Sequence, residues 1–308
     1  MWTEIAVDIS SVAVIIYVVL AGIEVSLDFL QKDGHYKLKD SLCSMTMGGF
    51  YLGTKLLMKS LTLVVLLLAA QYSVFDFGGQ WWLFPVAYIV SDCCFYWLHR
   101  FIHEVRIAWA AHVNHHSSQE YNLAGTALRQ SFAEPIMEPF FYAPMVLLGF
   151  DPLMTLAAIE VNLIYMYWLH TRKIGKLHPL FEFWFSTPSH HRVHHACNVQ
   201  YLDKNYGGTF IIFDRLFGSF EEEQETVEFG IPEQINTFNP IKVSFHGWLA
   251  LGLDITRTPG LLNKIRLLFM PPGWSPDGHS LTTKQKQLAY YLEKQALSYA
   301  EKQPSASL

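Results

Sequence analysis

The chain has 308 residues, of which 51% are hydrophobic, 15% aromatic and only 16% charged. Soluble domains average about a quarter charged residues, so this composition, with a mean hydropathy of +0.18, predicts a membrane protein with several spans. The net charge of −5 gives no electrostatic reason to expect a nucleic acid partner. The four cysteines form no disulfide pattern, and we expect them to be reduced thiols that serve as small apolar side chains.

Two long apolar stretches open the chain. Residues 9–30 are long enough to cross a bilayer as a helix, and they lack the basic flank and the small-residue cleavage site of a signal peptide. Residues 42–75 exceed one crossing, and we predict one tilted or broken helix there, with two crossings as the alternative. Between them, residues 31–40 carry three lysines, which the positive-inside rule assigns to the cytosol.

The next apolar stretches predict a return to the same side. A third span over residues 82–98 ends at His99, which the count of crossings places on the cytosolic side. Residues 132–150 and 153–170, separated by the turn signal Asp151-Pro152, predict a membrane hairpin that brings the chain back to that side.

The remaining chain is less apolar. Residues 243–253 and 261–270 are too short to span and predict interfacial or packed helices, and residues 284–302 predict a polar helix. We therefore predict an all-α fold, in which a polytopic membrane bundle carries a cytosolic, histidine-rich helical cap with a dimetal site. Three regions follow, namely membrane helices in residues 1–80, a catalytic region in residues 81–225 and a cytosolic or interfacial region in residues 226–308.

Histidines are the most informative residues of the sequence. Eleven of the 14 lie between His99 and His195, and nine of those form three clusters with spacings of three and four residues. Such spacings put side chains on one face of a helix, and imidazole is the commonest metal ligand. A single zinc takes three or four ligands, so ten candidates favour two metal ions. The candidate metal ligands are His99, His103, His112, His115, His116, His170, His190, His191, His194 and His195.

The three clusters carry a specific resemblance. HRFIH, HVNHH and HHRVHH, which begin at His99, His112 and His190, resemble the three histidine boxes of the fatty acid hydroxylase or sterol desaturase superfamily. Within it, residues 110–131, 186–223 and 236–248 are most similar to the alkylglycerol monooxygenases. The resemblance extends over roughly residues 86–274 at the level of motifs.

This resemblance implies that two iron ions held by the histidines activate O2 and that a lipid C–H bond is hydroxylated. In alkylglycerol monooxygenases the hydroxylated carbon adjoins the ether oxygen, and the product breaks down to a fatty aldehyde and a glycerol derivative. The implied partners are a bilayer lipid, O2 and an electron donor, which is tetrahydrobiopterin or a redox protein. Zinc is expected to replace iron on overexpression, because it binds imidazole more strongly.

The resemblance also implies roles for single residues and a location. His170 has the place of an additional ligand, and His190 is expected to be a ligand or the partner of one. Glu104 matches a carboxylate of the alkylglycerol monooxygenase pattern, which predicts a catalytic, histidine-orienting role; a surface carboxylate is the alternative. Asp203 is expected to position the reductant or to stabilise its loop. The expected location is the endoplasmic reticulum if the protein is eukaryotic and the inner membrane if it is bacterial.

Two other functions compete with this interpretation. The same catalyst can act on another lipid, as a sterol or fatty acyl hydroxylase or desaturase. A metal transporter or sensor also carries many histidines, but it is expected to line a path with ionisable residues at mid-membrane depth. Here the histidines follow the apolar stretches, and no ligand pairing is evident among the charges inside them. Those charges are Glu24, Asp28, Lys55, Lys59, Asp92, Glu134, Glu138 and Glu160.

Overall fold

The computed structural model describes residues 2–302, and within them the chain is helical, with short 3₁₀ turns and no β-strand. This confirms the predicted all-α fold. The helices are α1 Trp2–Gln31, α2 Leu38–Ala70, α3 Phe84–Glu104, α4 Arg106–His116, α5 Glu138–Leu148, α6 Pro152–Tyr167, α7 Pro179–Trp184, α8 Pro188–His194, α9 Ile212–Phe217, α10 Pro240–Arg257, α11 Leu261–Phe269 and α12 Thr283–Lys302.

Three helices are long and apolar enough to cross a membrane, and the chain is an integral membrane protein. The spans are Val12–Gln31, Leu38–Ala70 and Trp81–Glu104, close to the three predicted stretches. Large apolar side chains such as Ile15 and Leu57 are mostly exposed on them, as expected of a surface that faces lipid. At a rise of about 1.5 Å per residue, α2 extends for about 50 Å. It is one continuous helix, so the alternatives of a break and of two crossings are wrong.

The predicted hairpin is present, but its helices are shorter than the apolar stretches. Helix α5 has 11 residues and α6 has 16, whereas a full crossing needs about 20. Proline explains the start of α5 at Glu138, because a proline fits the first turn of a helix. Pro135 lies in a separate 3₁₀ turn, and Pro139 lies in the first turn of α5.

The tip of this hairpin lies at the far end of the bundle from the histidines. The backbone N–H groups of Val74 and Phe77, which follow α2, donate to the carbonyls of Leu147 (2.8 Å) and Gly149 (3.1 Å). Gly149 has a φ of +123°, and a Cβ there would lie 2.4 Å from the carbonyl oxygen of Phe75, so the contact requires glycine. The hairpin therefore turns beside the α2–α3 connection and returns to the histidine side, as predicted.

One face of helix α10 packs against the protein, and the opposite face is exposed. Val243, Gly247 and Leu251 are buried, and a Cβ on Gly247 would lie 2.6 Å from Val113 of α4. On the other side, Ile241 and Leu249 are 65% and 64% exposed. This amphipathic pattern agrees with an interfacial helix that packs on the histidine-bearing α4. Helix α12 matches the predicted polar helix, and residues 303–308 lie outside the described part of the chain.

Charged groups inside the apolar helices have partners that the sequence did not indicate. Glu160 of α6 accepts from the ammonium groups of Lys55 (3.2 Å) and Lys59 (3.4 Å) of α2. Asp92 of α3 accepts the backbone N–H groups of Thr209 and Phe210, both at 2.8 Å. Buried charges are costly unless they are paired or hydrogen-bonded, and here they join α2 to α6 and join α3 to the loop that follows the third histidine cluster.

Candidate metal centre

Helix ends deliver the histidines to one buried volume. His99 and His103 lie one turn apart at the end of α3, and α4 carries the second cluster in its last turns. His170 follows the end of α6. The third cluster lies on α8, which begins with Thr187 as N-cap and Pro188 at its first position. Pro at N1 and Thr at the N-cap start a helix at a defined residue, so they set the direction in which the third cluster points.

Nine histidines form two adjacent groups, in each of which one atom from every member lies within 4.8 Å of the others. All nine side chains are only 2–6% exposed. The five-histidine group consists of His99, His103, His112, His116 and His194. The four-histidine group consists of His115, His170, His191 and His195.

The division between the groups follows helical geometry. Pairs four residues apart, such as His112 with His116 and His191 with His195, stay in one group. Pairs three residues apart, such as His112 with His115, belong to different groups. A step of four residues turns a helix by about 400° and a step of three by about 300°. Side chains four residues apart therefore point about 40° apart around the helix axis. Side chains three residues apart point about 60° apart, and here this larger angle places them in different groups.

The imidazole nitrogens are spaced like the ligands of one ion. The Nε2–Nε2 distances are 2.9 Å for His170 and His191, 3.2 Å for His112 and His116, 3.2 Å for His191 and His195, and 3.4 Å for His115 and His170. Ligand nitrogens about 2.1 Å from a metal ion are about 3.0 Å apart in octahedral geometry and about 3.4 Å apart in tetrahedral geometry. The observed distances match this range.

Hydrogen bonds at Nδ1 fix which nitrogen can bind metal. The Nδ1–H of His115 donates to the carbonyl of Arg129 (3.0 Å), and that of His170 donates to the carbonyl of Met166 (3.1 Å). A carbonyl only accepts, so the Nε2 atom of each ring carries a lone pair. Two lone pairs 3.4 Å apart cannot hydrogen-bond to each other, whereas a cation between them satisfies both. The donor set therefore fits metal ions.

The same arrangement holds in the five-histidine group. His99 and His194 donate from Nδ1 to the carbonyls of Tyr206 and Lys204, both at 2.9 Å. The Nε2 atoms of His103 and His194 are buried and have no hydrogen-bond partner. Buried polar atoms are rarely left without a partner, so these two nitrogens are also available to a metal ion.

Burial favours the neutral form of most of these imidazoles. It lowers the pKa of His170 to about 4. Burial, and then repulsion from neighbouring histidines, lower the pKa values of His115, His116, His191 and His195 well below the ordinary range. A ligating histidine must be unprotonated, so the group is in its binding form at neutral pH.

Two carboxylates contact the rings from behind. Glu134 Oε2 lies 2.9 Å from His112 Nδ1, and Asp203 Oδ1 lies 3.5 Å from His103 Nδ1. Burial opposes ionisation of Glu134, but the adjacent His112 outweighs it and lowers the pKa of that carboxyl. Sequence reasoning missed Glu134 as a site residue, although a charge within an apolar stretch is by default a functional candidate.

Two predicted site residues lie elsewhere. Glu104 accepts from the guanidinium of Arg100 (3.0 Å), one turn earlier, and its side chain is 35% exposed. Among the described residues, neither histidine group includes it, and its catalytic role stays a prediction. His190 also lies outside both groups. The centroid of its ring lies 5.5 Å from that of Phe220 and its carbonyl accepts from Asn205 (3.1 Å), and its role as a ligand or the partner of one stays a prediction.

A buried ion pair ties the site to the second membrane helix. The guanidinium of Arg129 is only 1% exposed and donates to Asp40 at the start of α2, to Ser44 (3.1 Å) and to Ser117 (3.2 Å). The carbonyl of Arg129 accepts the Nδ1–H of His115, so this ion pair fixes His115 of the four-histidine group relative to α2. Neither Arg129 nor Asp40 was predicted from the sequence.

The chain is similar to known membrane enzymes. The sequence profile of the fatty acid hydroxylase family matches residues 84–219. Alkylglycerol monooxygenase of Homo sapiens is 41% identical over 242 residues, which are 78% of this chain and 54% of that protein. The enzyme of the same name from Xenopus tropicalis is 44% identical over 65% of this chain and 44% of its own length. That from Danio rerio is 38% identical over 84% of this chain and 58% of its own length. The chain thus spans about half the length of these relatives. No solved structure matches it.

Replacing Asp40 tests the buried ion pair. An Asp40→Ala variant leaves the buried guanidinium of Arg129 unpaired, which typically costs about 3–5 kcal/mol. We expect a correspondingly large fall in the free energy of unfolding in detergent. Glu222→Ala is the control, because Glu222 pairs with Lys176 at the surface and such pairs contribute about 0–1 kcal/mol. Equal effects of the two substitutions would contradict the anchoring role.

The metal-free protein is expected to lose stability in mild acid. The pKa of His170 is about 4 in the folded chain and about 6.5 in the unfolded chain. Between these values the unfolded chain binds more protons, so the free energy of unfolding decreases as the pH falls from about 6.5 to about 4. Melting curves at several pH values after chelation measure this. A melting temperature that is constant across the window would exclude buried neutral imidazoles.

Proposed function

This chain belongs to the fatty acid hydroxylase family, and we propose that it is a membrane di-iron monooxygenase that cleaves the ether bond of alkylglycerols. The observation that carries the proposal is the pair of buried histidine groups, with inward-facing Nε2 lone pairs, at the ends of membrane helices. The similarity to alkylglycerol monooxygenases supports the ether lipid as substrate. The predicted division at residues 80 and 225 stays a prediction.

The proposed ligands are the nine grouped histidines. Iron bound there would supply the activation of O2 for insertion of one oxygen atom into a C–H bond. The protein's own residues hold the ligand rings in the form that binds iron. The carbonyls of Arg129 and Met166 hold the rings of His115 and His170 in the binding tautomer, and burial of all nine rings excludes bulk water, which limits side reactions of the activated oxygen.

The overall reaction balances with a two-electron donor. The carbon next to the ether oxygen gains a hydroxyl from O2, and the second oxygen atom leaves as water after it takes up two electrons and two protons. The resulting hemiacetal breaks its C–O bond and gives a fatty aldehyde and the free alcohol of the glycerol derivative. Tetrahydrobiopterin can deliver both electrons and both protons, and a redox protein is the other donor consistent with this balance.

The position of the site suits a lipid substrate and a soluble donor. The lysine-rich segment before α2 lies against the site loops, since the amide of Asn122 donates to the carbonyl of His35 (2.7 Å) and Lys37 pairs with Glu120. The positive-inside rule therefore supports a cytosolic site. A lipid would enter from the bilayer, whereas the donor would arrive from the cytosol. We propose the endoplasmic reticulum for a eukaryotic source and the inner membrane for a bacterial one.

The alternative lipid substrates fit the same centre. A sterol or fatty acyl hydroxylase or desaturase would use the same ligands, and only the substrate distinguishes these activities. Metal transport is less well supported, because the charges inside the helices pair with each other or hold site loops. Ionisable groups that line a transport path are expected to face that path instead.

Aldehyde release tests the function. Purified, iron-loaded protein in detergent is given an alkylglycerol, O2 and tetrahydrobiopterin, and fatty aldehyde is measured. We expect turnover that needs both O2 and pterin and that falls at least about 100-fold in His115→Ala, since a ligand of the metal is removed. His279→Ala is the matched control, because His279 is exposed and pairs with Asp277. Absence of aldehyde from protein that holds two irons would contradict the ether substrate and leave the metal centre standing.

A further inference from the structure

The two histidine groups differ in their surroundings as well as in their number of ligands. Among the described residues, two carboxylates contact rings of the grouped histidines, Glu134 at His112 and Asp203 at His103, and both serve the five-histidine group. In the four-histidine group, the Nδ1 atoms of His115 and His170 donate to backbone carbonyls. The five-histidine group is thus backed by two acidic side chains as well as by the carbonyls of Tyr206 and Lys204, whereas these rings of the four-histidine group are backed by neutral peptide groups.

The segment from Arg129 to Glu134 supplies both kinds of acceptor to histidines of α4. His112 and His115 lie one turn apart, and the residues that hold their Nδ1 atoms are close in sequence. The carbonyl of Arg129 serves His115, and the carboxylate of Glu134 serves His112. The Arg129 side chain is fixed by Asp40, and Glu134 starts a 3₁₀ turn that leads to α5. The segment therefore gives a neutral acceptor to one group and a charged acceptor to the other.

We propose that Glu134 is a positioning residue which, together with Asp203, makes the five-histidine group the tighter iron site and the one of lower reduction potential. The inference rests on the proposed binding of two irons and is independent of the lipid substrate. Nothing in it requires ether cleavage.

The physical reasons are charge and orientation. A hydrogen bond to a carboxylate is roughly twice as strong as one between neutral groups, so Glu134 fixes the tautomer and the plane of His112 more firmly than a carbonyl would. It also makes the ring a better donor to the metal. The side chain of Glu134 is only 18% exposed, and in such surroundings a negative charge is weakly screened. Its charge favours the ferric over the ferrous ion at the group that it contacts.

Mössbauer spectra of protein loaded with ⁵⁷Fe distinguish the two centres. We expect two quadrupole doublets of equal area in the parent protein. Glu134→Gln keeps the shape and a hydrogen-bond acceptor but removes the charge. We expect it to change one doublet, to raise the potential of that iron, and to weaken its binding by about 10- to 100-fold in competition with a chelator. The other doublet should stay the same.

Two further variants make the test specific. Asp203→Asn should change the same doublet as Glu134→Gln, because both carboxylates serve one group. Glu138→Gln is the matched control. Glu138 lies at the start of α5, four residues after Glu134, and it belongs to neither histidine group among the described residues, so both doublets should remain as in the parent.

The outcomes distinguish failure of the inference from failure of the proposed function. Unchanged spectra and iron affinity in Glu134→Gln, or changes of different doublets in Glu134→Gln and Asp203→Asn, would overturn the inference and leave the di-iron enzyme intact. If Glu134→Gln does not fold, Asp203→Asn alone must change one doublet, and an unchanged spectrum overturns the inference. A parent protein that cannot hold two irons would overturn the proposed centre and the inference with it.

Discussion

Nine imidazole rings share one buried volume, and the rest of the structure depends on holding them there with their Nε2 lone pairs inward. Backbone carbonyls of Arg129, Met166, Lys204 and Tyr206 take the Nδ1 protons of four rings. The carbonyl of Met166 belongs to the last turn of α6, whereas the other three come from loops, which must be held as firmly as the helices. Without a cation the inward lone pairs oppose one another, so the site is complete only with metal bound.

The buried charges of the membrane region hold these loops. Glu24 of α1 accepts from the backbone of Leu123 (2.8 Å) and from the hydroxyl of Thr171 (2.5 Å), next to His170. Asp40 of α2 holds Arg129, and Asp92 of α3 holds the loop after the third cluster. A carboxylate buried in an apolar helix is costly alone, and each of these offsets that cost by fixing a loop that reaches the metal site.

The sequence was sufficient for the spans, the hairpin and the grouping of nine of the ten candidate histidines, because hydrophobic length and histidine spacing are local properties. It also contains the division into two groups, since partners four residues apart, such as His99 and His103, stay together. His190 lies within a cluster, but its position on α8 turns its ring toward Phe220 and leaves it outside both groups. Glu134 and Arg129 could not be paired with their histidines, because their contacts depend on how α2, α4 and the segment before α5 pack.

The central claim is that all nine grouped histidines bind two irons. X-ray absorption at the iron edge of the loaded protein measures it directly, because imidazole rings give a distinct outer-shell pattern beyond nitrogen ligands at about 2.1 Å. Nine histidines shared by two irons predict an average of between four and five imidazoles per iron. A shell dominated by oxygen ligands, with no more than about two imidazoles per iron, would contradict the account.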